Sequence, residues 1–256
     1  MRTGIICICK NEDNYIDEWV NYHLALGFDK IIIAENDDVK RLTFDNPKVV
    51  VEDFSRIESV QRKAYTALFE KYKKEFDWLL FIDCDEFLVL DGYATVADFL
   101  EGFDCEIIRI SEKHFTDNDE LDVIDGNYNV FDRFKTPANV PSLDTYCKSF
   151  INTKVELNGR LVRGHSIYDE TMDVVNALGE PCEADRRTKK IVFERCWINH
   201  YPTKTIGEYI KQKYKRGGPN KNPHRYANWQ NYFFRTNKKT DEKIEYAKKL
   251  INELSN

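Results

Sequence analysis

Three carboxylates stand within four residues of the chain, in the segment Asp83-Cys84-Asp85-Glu86-Phe87. Like charges this close repel one another unless a cation or a set of strong hydrogen-bond donors offsets them. Hard divalent ions such as Mn²⁺ and Mg²⁺ take one or two carboxylates and complete their shell with substrate phosphates and water. The segment therefore predicts a metal site with Asp83 and Asp85 as ligands, suited to a nucleotide diphosphate. A solvated acidic loop is the alternative.

Basic residues and histidines in the second half of the chain extend this prediction. Lys213 and Arg216 are three residues apart in a predicted helix, so they share one polar face and could close over a diphosphate. His200 follows an apolar run and is predicted as a further metal ligand ahead of His165, because imidazole suits Mn²⁺. A solvent-exposed basic helix and hydrogen-bonded core histidines are the alternatives.

The elements that must position the acidic segment follow from apolar periodicity. Residues 3–9, 30–34, 48–52 and 78–82 are predicted as strands, and helical spacing predicts helices from residue 16 and over 57–76. This alternation is typical of an α/β fold, with a mostly parallel central sheet flanked by helices. The acidic segment directly follows the fourth strand. Because such sheets bind ligands at the carboxyl ends of their strands, this placement favours the metal-site interpretation.

The pattern changes after about residue 92. We predict a short helix over 95–100, a polar loop over 117–140 and strands over 106–110, 148–155, 160–162 and 191–198. A capping box of Thr205 and Glu208 begins a helix that Gly217-Gly218 ends, and a last amphipathic helix covers 242–254. We take residues 1–204 as one domain and 205–256 as a helical extension packed on it.

Composition excludes several classes of protein. The net charge of -6 gives no overall attraction to nucleic acid. The sequence lacks an apolar run of about 18 residues, and its opening is too short and strand-like for a signal peptide, so we expect a cytoplasmic protein without a transmembrane segment. Seven scattered cysteines without a C-x-x-C pair are expected to be reduced thiols. Neither G-x-G-x-x-G nor a P-loop pattern occurs.

A set of motifs in order gives the chain a family resemblance. The matching residues are Lys10-Asn11-Glu12, Tyr15-Ile16-Asp17-Glu18-Trp19, Tyr22, Leu26-Gly27, Gln61, the acidic segment, His200-Tyr201, Lys204, Lys213, Arg216 and Gly217. With these motifs, over about residues 5–218, the chain resembles GT-A fold glycosyltransferases of the family-2 and family-92 type.

The resemblance implies a nucleotide-sugar donor, with a UDP-sugar favoured, bound by about residues 1–90. It implies a saccharide or lipid-linked saccharide acceptor bound by residues 91–204, inversion at the anomeric carbon, and Mn²⁺ or Mg²⁺. Small relatives usually act in bacterial surface polysaccharide synthesis, where a lipid-linked acceptor is met at the inner face of the membrane. The donor-binding residues expected are Lys10, Asn11, Glu12, Asn36, Asp37, Gln61, Asp83, Lys213 and Arg216.

Sugar transfer requires the acceptor hydroxyl to lose its proton and the leaving diphosphate to be neutralised. Asp85 would bind the ion, and Asp83 would hold the ribose or a metal-bound water. The base is expected among Asp117, Asp119 and Glu112, with Asp117 preferred.

A sugar nucleotidyltransferase is an alternative function. Such an enzyme would require a glycine-rich basic loop after the first strand, where this chain is acidic. A non-catalytic nucleotide-sugar-binding protein of the same fold is the second alternative.

Overall fold

The computed structural model describes residues 1–38, 40–55, 57, 60–163, 165–214 and 228–255. Within these residues, nine strands form one sheet in the order β3-β2-β1-β4-β7-β6-β9-β5, with β8 paired to β6. The strands are β1 (Thr3–Cys9), β2 (Lys30–Glu35), β3 (Val49–Asp53), β4 (Trp78–Phe81), β5 (Glu86–Leu90), β6 (Ile107–His114), β7 (Cys147–Asn152), β8 (Val174–Asn176) and β9 (Cys196–His200).

Helices alternate with the first strands along the chain and make up most of the regular structure of its carboxyl-terminal part. They are α1 (Ile16–Ala25), α2 (Val60–Tyr72) with a 3₁₀ turn at Lys73–Glu75, α3 (Val96–Leu100), α4 (Val130–Arg133), α5 (Pro141–Asp144), α6 (Ile206–Tyr209) with a π-helical turn at Ile210–Tyr214, α7 (Trp229–Phe233) and α8 (Asp241–Ser255). The predicted α/β class with a central sheet flanked by helices is confirmed. None of the described helices has the length and apolarity needed to cross a membrane.

The first four strands form a continuous parallel part of the sheet. β1 pairs in parallel with β2 and with β4, and β2 pairs in parallel with β3. The apolar runs of β1, β2 and β4 are almost completely buried, as expected for parallel strands that are covered on both faces. β3, at the end of the strand order, is mostly half-buried. On one face, Tyr65, Leu68 and Phe69 of α2 pack in a core cluster with Ile6 and Phe81 of the sheet.

The strand β7 then runs against this direction. It pairs antiparallel with β4, where Phe81 faces Ser149, and antiparallel with β6, where Ile110 faces Lys148. Because the start of an antiparallel strand lies beside the end of its neighbour, Lys148 is brought to the edge where β4 ends.

The chain divides into two compact units. The first consists of residues 1–113 and 142–199, and the second of 114–141 and 200–256. In the second unit, Ile206, Tyr209 and Ile210 form a core with Phe233 and Ala247. The predicted division at residue 204 stays a prediction.

Several elements differ from the sequence-based expectations. The capping box of Thr205 and Glu208 is confirmed, but α6 is short and continues as a π-helical turn, and Gly217-Gly218 lies outside the described residues. Residues 160–162 form no strand, whereas β5 and β8 were not predicted. The helix predicted over 57–76 is regular only over Val60–Tyr72.

Candidate functional site

Three loops leave the sheet at one edge, because they follow the parallel strands β1, β2 and β4. These strands end at Cys9, Glu35 and Phe81, and Cys9 pairs in register with Glu35. Parallel strands present their carboxyl ends at the same edge, which is where ligands of α/β proteins bind. The fold therefore brings the predicted donor-binding loops after these strands to one edge.

The loops after β1 and β2 are tied to each other by hydrogen bonds. The backbone NH of Asn11 donates to Asp37 Oδ1 at 2.9 Å, and the NH of Asn36 donates to the carbonyl of Cys9 at 2.8 Å. Asn11 has a φ of 55°, in the left-handed region that asparagine tolerates better than most residues. Asp37 Oδ2 lies 3.2 Å from the Arg41 guanidinium. Both Asp37 oxygens thus hold the loops, and its role toward a nucleotide stays a prediction.

The other predicted residues of these loops also have partners inside the protein. Asn36 Nδ2 donates to the carbonyl of Phe54 at 2.7 Å, and Lys10 Nζ lies 3.7 Å from Asp38 Oδ1. Glu12 is buried, and its carbonyl accepts the backbone hydrogen bonds that precede α1. Their assignment to the donor stays a prediction.

The acidic segment forms a turn between β4 and β5 that is clamped at its backbone. The NH of Asp83 donates to Glu86 Oε2 at 2.9 Å, and the NH of Glu86 donates to the carbonyl of Asp83 at 3.2 Å. From α1, the Trp19 indole donates to the carbonyl of Glu86 at 2.6 Å. The turn is therefore fixed by the chain itself.

A buried lysine supplies a cation to this turn. Lys148 Nζ lies 3.0 Å from Asp83 Oδ2, 2.6 Å from Glu86 Oε1 and 3.6 Å from Glu112 Oε1. Burial lowers the pKa of the Lys148 ammonium, but the three carboxylates outweigh this effect and raise the pKa well above its usual value. Lys148 is therefore charged at neutral pH.

His165 holds the other side of Asp83. Its Nε2 lies 3.0 Å from Asp83 Oδ1, and its Nδ1 lies 3.1 Å from Lys148 Nζ. An ammonium can only donate, so Nδ1 accepts and Nε2 carries the proton that it donates to Asp83. The amide of Gln61, a predicted donor-binding residue, lies 3.2 Å from Nε2, and the Tyr65 ring lies 5.3 Å from the imidazole. Both ring nitrogens thus have protein partners, and metal ligation by His165 stays a prediction.

The backbone at His165 adopts an uncommon conformation. Its φ is 78°, in the left-handed region that residues with a side chain rarely occupy. Such conformations persist only where the surroundings hold them, and they cluster at binding and catalytic sites. The strained backbone and the two ring hydrogen bonds together fix the imidazole against Asp83.

The pKa values of the acidic groups in this cluster are shifted in opposite directions. Burial alone would raise the pKa of Asp83, but His165 and Lys148 outweigh it and hold the pKa well below its usual value. Burial raises the pKa of Glu86 well above its usual value against the effect of Lys148, and the nearby acids, Asp85 among them, add to this rise. The cluster thus holds more acidic than basic groups, and its oxygen donors are those that Mn²⁺ and Mg²⁺ prefer. The residues present fit such an ion.

Two of the three predicted bases lie in the second unit, and one lysine contacts both. Lys243 Nζ of α8 lies 2.7 Å from Asp117 Oδ2 and 2.9 Å from Asp119 Oδ1. Burial raises the pKa of Asp117 despite this ammonium. The third candidate, Glu112, belongs to the first unit and contacts Lys148. Which of them acts as a base stays a prediction.

The remaining predicted residues also lie in the second unit. The His200 ring, at the end of β9, lies 4.7 Å from that of His114, and its assignment as a metal ligand stays a prediction. The predicted contact of Lys213 with the diphosphate stays a prediction. The alternative of a solvent-exposed helix is wrong at this residue, because it is 8% exposed and its ammonium donates to the carbonyl of Pro202. It lies in the π-helical turn, where the spacing of an α-helix no longer sets the faces. Arg216 lies outside the described residues.

Lys148 is the site residue that sequence reasoning missed. It was seen only as the first residue of a predicted strand, in the run Cys147-Lys148-Ser149-Phe150-Ile151. A lysine is almost never fully buried unless it is paired. A single lysine within a buried strand is therefore a signal of a buried acidic partner, although it does not identify that partner.

Comparisons with known proteins give structural matches only. No protein-family model and no curated protein matches the chain. The chain is similar to crystal structures of S. aureus TarS 1-349, at 16% identity and a TM-score of 0.38, over 60% of this chain and 47% of that one. The structure of TarS 1-349 in complex with UDP is similar at 15% identity and a TM-score of 0.38, over 60% of this chain and 47% of that one. The complex with UDP-GlcNAc is similar at 18% identity and a TM-score of 0.35, over 44% of this chain and 35% of that one. The chain thus spans about half the length of the first of these structures.

Proposed function

We propose that the chain is a glycosyltransferase that moves a sugar from a nucleotide-diphosphate donor, with a UDP-sugar favoured, to a saccharide acceptor with inversion. One observation carries the proposal. Asp83, which follows the carboxyl end of β4 in the parallel part of the sheet, is fixed as an anion by Lys148 and His165. The resemblance of the sequence motifs to GT-A fold enzymes supports the same function.

Exposure distinguishes the roles of the acids. The side chain of Asp83 is 35% exposed, whereas those of Lys148 and Glu86 are 6% and 0% exposed. A ligand can therefore reach Asp83, while the groups that hold it are covered. Each carboxylate oxygen can accept more than one hydrogen bond, so Asp83 can still accept from the hydroxyl groups of a ribose. Because this hydrogen-bond acceptor is already in place, little free energy is spent on ordering it when the nucleotide sugar binds.

The proposed function includes a divalent ion, Mn²⁺ or Mg²⁺, with Asp85 as its ligand. The excess of acidic over basic groups around Asp83 supports this part, because a nucleotide diphosphate would otherwise meet net negative charge. When bound, such an ion supplies neutralisation of the charge that develops on the leaving diphosphate.

Glu112 is the base that we favour. It contacts Lys148, as Asp83 does, and so belongs to the same cluster as the carboxylate proposed to hold the nucleotide. A carboxylate base would take the proton of the acceptor hydroxyl as that oxygen attacks the anomeric carbon.

The acceptor that we propose is a saccharide or lipid-linked saccharide of a bacterial surface polysaccharide. This part of the proposal rests on the sequence resemblance alone. It places the protein in the cytoplasm, where a lipid-linked acceptor would be met at the inner face of the membrane.

A thermal-shift panel of nucleotide diphosphates and nucleotide sugars, with and without Mn²⁺, tests the proposal. At 100 times the dissociation constant, a ligand of the native state should raise Tm by about 5 °C. Asp85→Ala should abolish the Mn²⁺-dependent part, whereas Asp91→Ala, the same change at an exposed residue of the first unit, should not. Turnover is measured as UDP released from the stabilising UDP-sugar.

Three results would contradict parts of this proposal. Stabilisation without turnover on any saccharide indicates a binding protein of the same fold. Pyrophosphate released from UTP and a sugar 1-phosphate indicates a nucleotidyltransferase. Turnover that is unchanged by a chelator shows that the metal-dependent part is wrong.

A further inference from the structure

The ammonium of Lys148 lies against the oxygen that a metal ion would use on Asp83. Lys148 Nζ is 3.0 Å from Asp83 Oδ2, and His165 donates to the other oxygen, Oδ1, at 3.0 Å. Both oxygens of Asp83 thus receive a proton donor from the chain itself. Asp83 therefore differs from an open metal ligand even though it is the more exposed part of the cluster.

Three acceptors hold the Lys148 ammonium in the cluster. Its side chain is 6% exposed, and the three protons of the ammonium are matched by Asp83, Glu86 at 2.6 Å and His165 Nδ1 at 3.1 Å. Moving the ammonium would leave the buried acceptors Glu86 and His165 Nδ1 without this donor, which is costly. The positive charge is thus a fixed part of the site.

We propose that Lys148 is a positioning residue that keeps the affinity of the acidic segment for a divalent ion low until the donor diphosphate is bound. This inference rests on the proposed function and specifies how its metal and nucleotide depend on each other. Lys148 holds Asp83 for the nucleotide and leaves ligation of the ion to Asp85.

The argument is one of charge at short range. An ion bound to Asp83 Oδ2 at about 2.1 Å would lie within about 5 Å of the ammonium. Two cations this close repel each other, and the burial of the ammonium limits screening by solvent and salt. A diphosphate brings negative charge and further oxygen ligands, and so offsets this repulsion. Ion and nucleotide should therefore each increase the affinity for the other by the same factor.

The test is the affinity for Mn²⁺ without nucleotide, measured from the electron paramagnetic resonance signal of free Mn²⁺. Lys148→Met removes the charge with little change of shape, and it should tighten Mn²⁺ binding at least about 10-fold. Lys148→Arg keeps the charge and should bind Mn²⁺ as the wild type does. The matched control is Lys154→Met, which makes the same change of net charge at an exposed residue just after β7.

A second pair of measurements identifies the oxygen involved. In the wild type, Asp83→Asn should change the Mn²⁺ affinity less than about threefold, because Asp83 is engaged by Lys148 and His165. In the Lys148→Met background the same change should remove most of the gain, which a double-mutant cycle measures as coupling. Circular dichroism confirms folding of each variant.

An Mn²⁺ affinity of folded Lys148→Met that equals or falls below that of the wild type would overturn the inference. If Lys148→Met does not fold, Asp83→Asn in the wild type decides the matter. A loss of 10-fold or more refutes the inference because Asp83 is then a ligand, and an unchanged affinity supports it. Failure of the proposed function is a separate result, since it appears as the absence of stabilisation by every nucleotide sugar, whereas these measurements use Mn²⁺ alone.

Discussion

Asp117 and Lys243 form a buried ion pair, with Oδ2 and Nζ 2.7 Å apart and each side chain only 2% exposed. Sequence reasoning preferred Asp117 as the catalytic base, but this pair gives its carboxylate a structural role in the second unit. A buried charge that loses its partner destabilises the protein strongly. If Asp117 has a structural role, its substitution should therefore lower stability, whereas if Asp117 is the base, the substitution should lower kcat.

We expect Asp117→Asn to lower the free energy of unfolding by about 3–5 kcal/mol, as for other buried pairs that lose one partner. The same change at Asp119, which is 66% exposed in its contact with Lys243, should cost no more than about 1 kcal/mol. Urea unfolding of both variants measures the difference. Wild-type stability together with a large loss of kcat in Asp117→Asn would instead establish Asp117 as the base.

A second prediction concerns His165. Its removal takes one of the two donors from Asp83, so we expect His165→Ala to raise the KM for the nucleotide sugar about tenfold, the effect of losing a hydrogen bond to a charged group. The Mn²⁺ affinity with UDP present should change less than about threefold, because both ring nitrogens have protein partners. His165→Gln, whose amide can also donate to Asp83, should recover part of the loss. An Mn²⁺ affinity that falls with His165→Ala would make His165 a metal ligand.

Acid should destabilise the first unit through His23. This residue is fully buried on α1, and burial lowers its pKa to about 3. The unfolded chain, with a pKa of about 6.5, then binds more protons than the native state between these values. Stability is therefore lost as the pH falls from about 6.5 toward 3, by up to about 1.4 kcal/mol for each pH unit.

The measurement for His23 is urea unfolding at pH 7, 6 and 5. His23→Gln, which does not titrate, should show a shallower decline with falling pH than the wild type, whatever its stability at pH 7. Parallel declines in both proteins would mean that other groups cause the acid sensitivity.

Lys213 should affect stability rather than donor affinity alone. Its ammonium donates to the carbonyl of Pro202 in the second unit and is mostly buried. Lys213→Met should therefore lower the free energy of unfolding by about 1–3 kcal/mol, the cost of a buried acceptor without its donor. Lys249→Met, at a side chain that is 72% exposed, should remain within about 0.5 kcal/mol of the wild type. Equal stability of both variants, with a raised KM for donor only in Lys213→Met, would support the predicted diphosphate role.

Local patterns were sufficient to predict the parallel part of the fold. The boundaries of β1, β2, β3 and β4 agree with the predicted strands to within one residue at each end, because each is an apolar run between polar turns. The acidic segment was likewise identified from its residue types and its place after β4. In these regions the pattern of apolar and polar residues over a few positions is sufficient to determine the element.

The partners of the acidic segment could not be predicted in this way. Asp83 and Lys148 are 65 residues apart, and their contact depends on the antiparallel insertion of β7 beside β4. The same holds for α4 in the loop predicted to be irregular, where Arg133 forms a buried pair with Glu208 at 2.8 Å. Lys148 lies in a strand that the local pattern predicts, yet neither this contact nor the pair of Arg133 and Glu208 can be read from the spacing of residues along the chain.

The antiparallel course of β7 also affects how the protein can be divided and made. All the loops predicted to bind the donor are complete by residue 85, yet the cation that balances Asp83 and Glu86 arrives only with Lys148. During synthesis, the first four strands therefore emerge with an acidic turn that cannot reach its native state until β7 follows. A fragment that ends before Cys147 would carry these loops without the charge that orders them. The smallest unit able to present the site thus extends through β7 to His165, the other partner of Asp83. Domain exchanges between related chains should therefore keep the acidic segment, this strand and His165 together.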